Sequence, residues 1–167
     1  MLNAMIIMER GTIMKTTDLT KRVLAVVLLG MCLSFFVYCG IMLYANKVIP
    51  FSDIQGNMDL AKQRMSVLNA ANVFGGMSSS IAMIGFIIVC ILYARSAERY
   101  KWTDILRGAL ITVAAGNLPW LVFSLIDRAN YKNYRDPVLT LTIYIAAFIL
   151  AFIAIHLIKV LRGKRQR

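Results

Sequence analysis

The chain contains few of the residues that carry out enzymatic or metal chemistry. Among its 167 residues are one histidine, three cysteines and eight acidic side chains. No cysteine lies near His156 in the sequence and the cysteines form no Cys-x-x-Cys pair, so the spacing predicts no metal site. All three cysteines fall within apolar runs, which argues against a disulfide framework. Hydrolases and transferases need a nucleophile beside a base, and this sequence shows no such pair. We therefore expect neither an enzyme nor a cofactor.

Charge is also scarce, and this places the chain in a membrane. Charged residues make up 16% and hydrophobic residues 59%, whereas soluble domains carry about 25% charged residues. Runs of about 20 apolar residues can cross a bilayer as helices. The chain has four of them, at 23–45, 67–94, 105–126 and 138–161. These runs predict an all-α, single-domain polytopic membrane protein, an antiparallel bundle of four transmembrane helices whose consecutive helices are neighbours.

The basic residues predict the orientation of the bundle. The formal net charge is +11, with the cations gathered between the apolar runs. Thirteen of the 19 lysines and arginines lie in the N-terminal segment, in the second connection with Arg107 just inside the third run, and at the C-terminal end from Lys159 onward; six lie in the other two connections. The positive-inside rule therefore predicts both termini in the cytoplasm. Because topology and anionic headgroups account for the cations, no nucleic-acid partner is expected.

The first residues of the chain raise a question about the translation start. The codons for Arg10 and Gly11 can be purine-rich and precede Met14 by a short distance, as a bacterial ribosome-binding site does. This pattern predicts a bacterial protein whose translation begins at Met14, with residues 1–13 as an over-extended start. Together with the four helical spans, a bacterial origin leads us to expect the inner membrane. The first apolar run is longer than a signal-peptide core and lacks a small-x-small cleavage pattern, so we expect it to remain as an anchor.

No aspartate or glutamate lies at mid-depth in any apolar run, which argues against proton- or cation-coupled carriers. The polar residues that reach mid-depth are uncharged. A candidate intramembrane cluster consists of Asn72, Ser79, Ser80, Asn117 and Pro119. Pro119 should kink its helix and free a carbonyl, which Asn117 can satisfy unless it reaches across to Asn72 or a serine. Two interpretations stay open: tight packing of the second and third spans through small residues and hydrogen bonds, or a polar groove for a solute.

The connection after the third span alternates cations, carboxylates and tyrosines. Exposed tyrosine and arginine favour binding hot spots. The candidate external recognition loop therefore comprises Arg128, Tyr131, Lys132, Tyr134 and Arg135. The alternative interpretation is a polar hairpin between two antiparallel spans.

The missing chemistry, the short loops and the stripes of small residues together favour a non-enzymatic protein that binds another membrane protein. Such a protein could be an accessory subunit, a modulator, or an immunity or exclusion factor. The chain resembles, in layout, the immunity proteins against pore-forming colicins, which are small, basic, four-span inner-membrane proteins with both ends inside. The alternative is a small-solute transporter or pore that acts as a homo-oligomer, since four spans rarely enclose a path alone. In either case the partners are the lipid bilayer and another membrane protein or a second copy.

Overall fold

Over the residues that the structure describes, the chain forms four long helices. The computed structural model describes the backbone of residues 2–96 and 99–164, and the side chains of 19–96, 99–130, 132, 134 and 138–162. The helices are α1 (Leu2–Val48), α2 (Met58–Arg95), α3 (Trp102–Ile126) and α4 (Arg135–Lys164), with 3-10 turns at Phe51–Ile54 and Arg128–Tyr134. The side chains of the possible over-extended start, residues 1–13, lie outside the described set.

Each of these helices contains a segment long and apolar enough to cross a membrane. The candidate spans are Leu19–Val48, Met58–Arg95, Trp102–Ile126 and Val138–Arg162. This finding confirms the all-helical fold with four candidate membrane-spanning helices. The helices are longer than the apolar runs because polar residues continue them. For example, α2 begins at Met58, where the Asn57 side chain accepts a hydrogen bond from the Leu60 amide and caps the first turn.

The short connections make the helices alternate in direction. We call the end with the connections 49–57 and 127–134 the hairpin end, and the end with the connection 96–101 the N/C end. The helix order around the bundle is α1, α2, α4, α3: α1 packs against α2 and α3, and α4 also packs against both. The expectation that consecutive helices are neighbours therefore holds for α1–α2 and α3–α4. It is wrong for α2 and α3, which share no comparable interface among the described residues.

Small residues allow α1 and α2 to approach closely. An ideal Cβ at Gly75 would lie 3.3 Å from the Tyr38 ring, and one at Gly85 would lie 2.3 Å from Val27 Cγ2. Ser78 is fully buried between the two helices and donates a hydrogen bond of 2.9 Å to the Met31 carbonyl. The small residues of the second span thus pack against the first span, and not against the third as one interpretation of the sequence supposed.

Large apolar side chains fill the centre of the bundle. Met31 and Phe35 of α1 are completely buried, and Leu141 of α4 is 1% exposed. The rings of Phe86 in α2 and Phe148 in α4 stack with centroids 4.3 Å apart. Because α3 and α4 have fewer buried residues than α1 and α2, the α1–α2 pair forms the main packed unit.

The close approach at Gly85 yields a stability prediction. In Gly85→Ala the new methyl group would meet both methyl groups of Val27, at 2.3 and 2.6 Å, and the β-branched valine has little rotamer freedom in a helix. We expect the midpoint of unfolding in detergent to fall, because overpacking costs about 1–3 kcal/mol against a gain of at most about 1 kcal/mol in helix propensity. Adding Val27→Ala should restore the midpoint.

Two other glycines serve as controls in the same assay. Gly76→Ala places its methyl group in open space, with no atom within 4 Å. In Gly116→Ala the new methyl group would lie 2.3 Å from the terminal Cδ1 of Ile145, which can rotate away, and 3.7 Å from Ile145 Cγ1 and Met31 Cε, which is ordinary contact distance. Both variants should unfold at or above the wild-type midpoint, and equal midpoints for all three alanine variants would contradict the close α1–α2 packing.

Candidate functional site

A buried arginine closes the C-terminal end of α1. Arg64 of α2 is 8% exposed, and its guanidinium donates to the carbonyl of Ala45 at 2.7 Å, to that of Ile49, and to the side chain of Asn46 at 3.2 Å. The last carbonyls of a helix have no intrahelical donor and carry partial negative charge, so a cation is favoured there. Arg64 therefore ties the end of α1 to the first turns of α2.

Asn46 extends these contacts to the end of α3. Its amide nitrogen donates to Asp127 Oδ2 at 3.1 Å and contacts the Tyr134 hydroxyl at 3.4 Å. Asp127 also accepts from Tyr134 at 2.9 Å and from Asn130 at 3.0 Å. We call these residues, with Arg64, the hairpin-end network. It joins α1, α2, α3 and the 3-10 turn, and both its cation and its carboxylate are held by hydrogen bonds, as buried polar groups require.

The network sets the protonation states of its acidic members. Burial raises the pKa of the Asp127 carboxyl, but the hydrogen bonds from Asn130, Asn46 and Tyr134 and the charge of Lys47 outweigh it and leave the pKa below its ordinary value of 3.8. Burial raises the pKa of Tyr134, and its hydrogen bond to the Asp127 carboxylate raises it further. At neutral pH, Asp127 is therefore ionised and Tyr134 is a hydrogen-bond donor.

This arrangement changes the interpretation of the candidate recognition loop. Tyr134 is fully buried, because its hydroxyl binds Asp127 and its ring lies against Phe123 at a centroid distance of 6.4 Å. It therefore does not belong to an exposed recognition surface. Arg128 and Lys132 are exposed, whereas Tyr131 and Arg135 lie outside the described side chains.

The five residues of the candidate intramembrane cluster do not meet in one copy of the chain. Asn72 and Ser80 are exposed, Ser79 and Asn117 are half-buried, and Pro119 is buried. The amide of Asn117 donates to the Val113 carbonyl of its own helix at 2.8 Å. It reaches neither Asn72 nor the Ala115 carbonyl, which Pro119 leaves without its helical donor. Asn117 and Asn72 lie apart because α2 and α3 occupy opposite corners of the bundle.

Instead, α2 carries polar and small residues on its outward face. We call Asn69, Asn72, Gly76 and Ser80 the α2 stripe; their spacing of three to four residues puts them on one face of the helix. All are exposed, and within the described part of the chain the three polar side chains have no hydrogen-bond partner. Exposed apolar side chains such as Val73 and Met77 flank the stripe. Asn72 lies about 9 Å along the helix axis from buried Ser78.

A second cation engaged by helix carbonyls, the half-buried Lys159, lies at the N/C end. Lys159 of α4 donates to the carbonyls of Tyr93 and Ser96, both at 2.6 Å, and to the Ser96 hydroxyl at 2.9 Å. It therefore closes the C-terminal end of α2 as Arg64 closes that of α1. His156 is 2% exposed, with Nδ1 2.7 Å from the Tyr93 hydroxyl. The sequence analysis did not predict this cluster. A signal was present, because Lys159 lies in an apolar run with no acidic residue nearby, which favours backbone carbonyls as acceptors for its ammonium group.

A cavity of about 260 Å³ also lies near the N/C end. All four helices line it with apolar side chains, among them Leu24, Val89, Ile105 and Phe148. The charged residues that line the cavity are Lys21, Asp104 and Arg107. An apolar interior beside charged groups suits a ligand with both an apolar and a charged part.

Possible metal ligands are dispersed. Among the described residues no three or more histidine, cysteine, aspartate or glutamate side chains are grouped to hold a metal ion. Cys32, Cys39 and Cys90 are free thiols. The Asp127 carboxylate is already occupied by three hydrogen bonds from amides and a phenol. The arrangement of these side chains therefore supports packing and helix capping.

Comparisons of the chain with protein-family models, with curated proteins and with solved structures gave no match. No relative therefore suggests a fold or an activity. The features of the chain that bear on its function are the two capped helix ends, the α2 stripe and the N/C-end cavity.

The first prediction from this site concerns Arg64. In Arg64→Met, the carbonyls of Ala45 and Ile49 and the side-chain oxygen of Asn46 lose a charged donor. A hydrogen bond from a charged group contributes about 1.5–3 kcal/mol, so we expect a clear drop in the unfolding midpoint in detergent or in rising SDS. Lys62→Met removes an exposed cation two residues away and is the matched control. If the two variants unfold together, the network does not hold this end of the bundle.

The second prediction concerns pH. Because the folded state holds the pKa of Asp127 below 3.8, the carboxylate stabilises the fold above that pH, and this stabilisation is lost as the pH falls through 3.8 towards the folded pKa. The unfolding midpoint in a non-ionic detergent should therefore drop below about pH 4. Asp127→Asn should be less stable at pH 7 and should show a smaller drop. The exposed Asp59 is the control position, where Asp59→Asn should leave the wild-type profile unchanged.

Proposed function

We propose that this protein is a non-catalytic, multi-pass protein of the bacterial inner membrane that binds another membrane protein through its spans. In this role it would be an accessory, modulatory, immunity or exclusion partner. The observation that carries the proposal is the α2 stripe. It consists of polar and small residues, faces outward, and is flanked by exposed apolar side chains.

The physical argument rests on the cost of polar groups in hydrocarbon. An amide that leaves water without gaining a hydrogen bond costs several kcal/mol, roughly 2–7 depending on the reference state. Asn72 lies on the outward face of a candidate span without a hydrogen-bond partner among the described residues. Membrane helices associate through such side chains and through small residues that let backbones approach. At Gly76, no atom lies within 4 Å of an ideal Cβ, which leaves room for the backbone of a partner helix.

The same observations rank a transporter or pore second. The centre of one copy is filled by Met31, Phe35 and Leu141, and the mid-depth polar residues do not converge on a path within the described bundle. A solute path would have to form between several copies. Partner binding needs no such assembly, and the stripe alone supports it.

The orientation of the proposed protein follows from its cations. Thirteen lysines and arginines flank the N/C side and six flank the hairpin side, which supports cytoplasmic termini. On the hairpin side, Arg64 is buried and engaged by carbonyls, so even fewer cations face the aqueous phase there.

The experiment is affinity purification of the tagged protein from its native membrane in a mild detergent. We expect a stoichiometric second membrane protein to co-purify with the wild type, and its yield to fall severalfold in the double variant Asn72→Leu, Ser80→Leu. Leucine at these exposed positions suits lipid, so the fold should persist. Asn117→Leu makes the same chemical change in α3, at an amide bonded within its own helix, and should keep the partner.

The other outcomes are equally informative. Unchanged co-purification with the double variant would remove the α2 stripe from the interface. A homo-oligomer that dissociates in the double variant, with no second protein, would favour the transporter or pore. Solute-flux assays on Ser79→Leu with Asn117→Leu would then test the polar path.

A further inference from the structure

The cavity at the N/C end differs in character from the packed centre of the bundle. Its volume is about 260 Å³, and side chains from all four helices form its walls. Phe148 and Phe152 of α4 and Val89 of α2 face it with apolar surface. Gly108 of α3 also lines it, and no atom lies within 4 Å of an ideal Cβ there. The cavity therefore offers unfilled apolar space between candidate spans.

Two cations that form no ion pair with any described residue line the same cavity. Lys21 of α1 and Arg107 of α3 are both exposed, and neither forms an ion pair among the described residues. The ammonium nitrogen of Lys21 lies over the Tyr100 ring, 5.7 Å from its centroid. These two cations contrast with Arg64 and Lys159, whose donors are taken by helix carbonyls.

One acidic residue, Asp104, lines the cavity as well. Two cations and one carboxylate leave a local excess of one positive charge, which a single anionic phosphate would neutralise. The carboxylate adds an acceptor for hydroxyl groups. A ligand that matches all of these features carries an apolar chain, a phosphate with one negative charge and a hydroxylated headgroup.

The position of the cavity also indicates a lipid. Lys21 lies near the start of the candidate span Leu19–Val48, and Arg107 lies one to two turns into Trp102–Ile126. The charged groups are therefore placed near the headgroup level of a leaflet, with the apolar walls toward the hydrocarbon. Basic pockets between spans at this level bind anionic headgroups.

We propose that this cavity binds one anionic glycerophospholipid with a hydroxylated headgroup, of the phosphatidylglycerol class. Lys21 and Arg107 bind the phosphate, Asp104 accepts from a headgroup hydroxyl, and part of one acyl chain lies against Phe148 and Val89. This site is separate from the α2 stripe, so it does not depend on the proposed partner.

The test is native mass spectrometry of the full-length protein, delipidated in detergent and titrated with phosphatidylglycerol or phosphatidylcholine. We expect one tightly held phosphatidylglycerol and weaker phosphatidylcholine. The double variant Lys21→Met, Arg107→Met should lower the phosphatidylglycerol affinity on the order of tenfold and abolish the headgroup preference. Gly108→Leu places a larger apolar side chain at an open position of the cavity lining and should weaken both lipids.

Two variants outside the cavity lining serve as matched controls. Arg162→Met removes an exposed cation at the same end outside the cavity lining. Gly40→Leu alters a glycine with equally open surroundings that does not line the cavity; both should bind lipid as the wild type does. Equal affinity for the two lipids, or a double variant that binds like Arg162→Met, would overturn the proposal. Displacement of the lipid by excess inorganic phosphate would assign the site to a free anion instead.

Discussion

The carbonyl groups at the C-terminal ends of α1 and α2 need donors inside the bundle, and this requirement organises the rest of the structure. A helix end in or near a bilayer has little water to satisfy its last carbonyls. Arg64 adds donors to the end of α1, and Lys159 adds donors to the end of α2. Each cation comes from a neighbouring helix, so each cap also fixes which helices lie side by side.

These two caps account for the order of the helices. At the hairpin end, Arg64 joins α2 to α1, and Asn46 joins α1 to Asp127 at the end of α3. At the N/C end, Lys159 joins α4 to α2. The result is that α1 and α4 occupy opposite corners, as do α2 and α3. A bundle governed by loop length alone would have placed α2 beside α3.

The helix order in turn determines which surfaces are free for function. Because α2 packs against α1 through Gly75, Ser78 and Gly85 and against α4 through Phe86, Asn72 and the rest of the α2 stripe face outward. Arg64 and Lys159 are also engaged in capping helix ends, which distinguishes them from the other cations of the bundle. Lys21 and Arg107 form no ion pair with the described residues and line an apolar cavity, which makes them the cations placed to meet a ligand there.

The sequence by itself determined the four candidate spans, because a run of about 20 apolar residues has only one low-energy backbone state in lipid. It also identified the polar side chains within those spans, since few residue types there are not apolar. Only the tertiary structure decided where those side chains point and what they bind. Tyr134 was predicted to be an exposed recognition residue, but it is buried and donates a hydrogen bond to Asp127. Asn117 donates a hydrogen bond within its own helix and does not reach α2. Arg64 and Lys159 were counted among the cations that flank the spans, whereas in the structure they cap the ends of α1 and α2. A run's composition sets whether it enters the membrane, whereas its partners depend on contacts between residues far apart in the chain, such as Asn46 and Asp127, which no local pattern encodes.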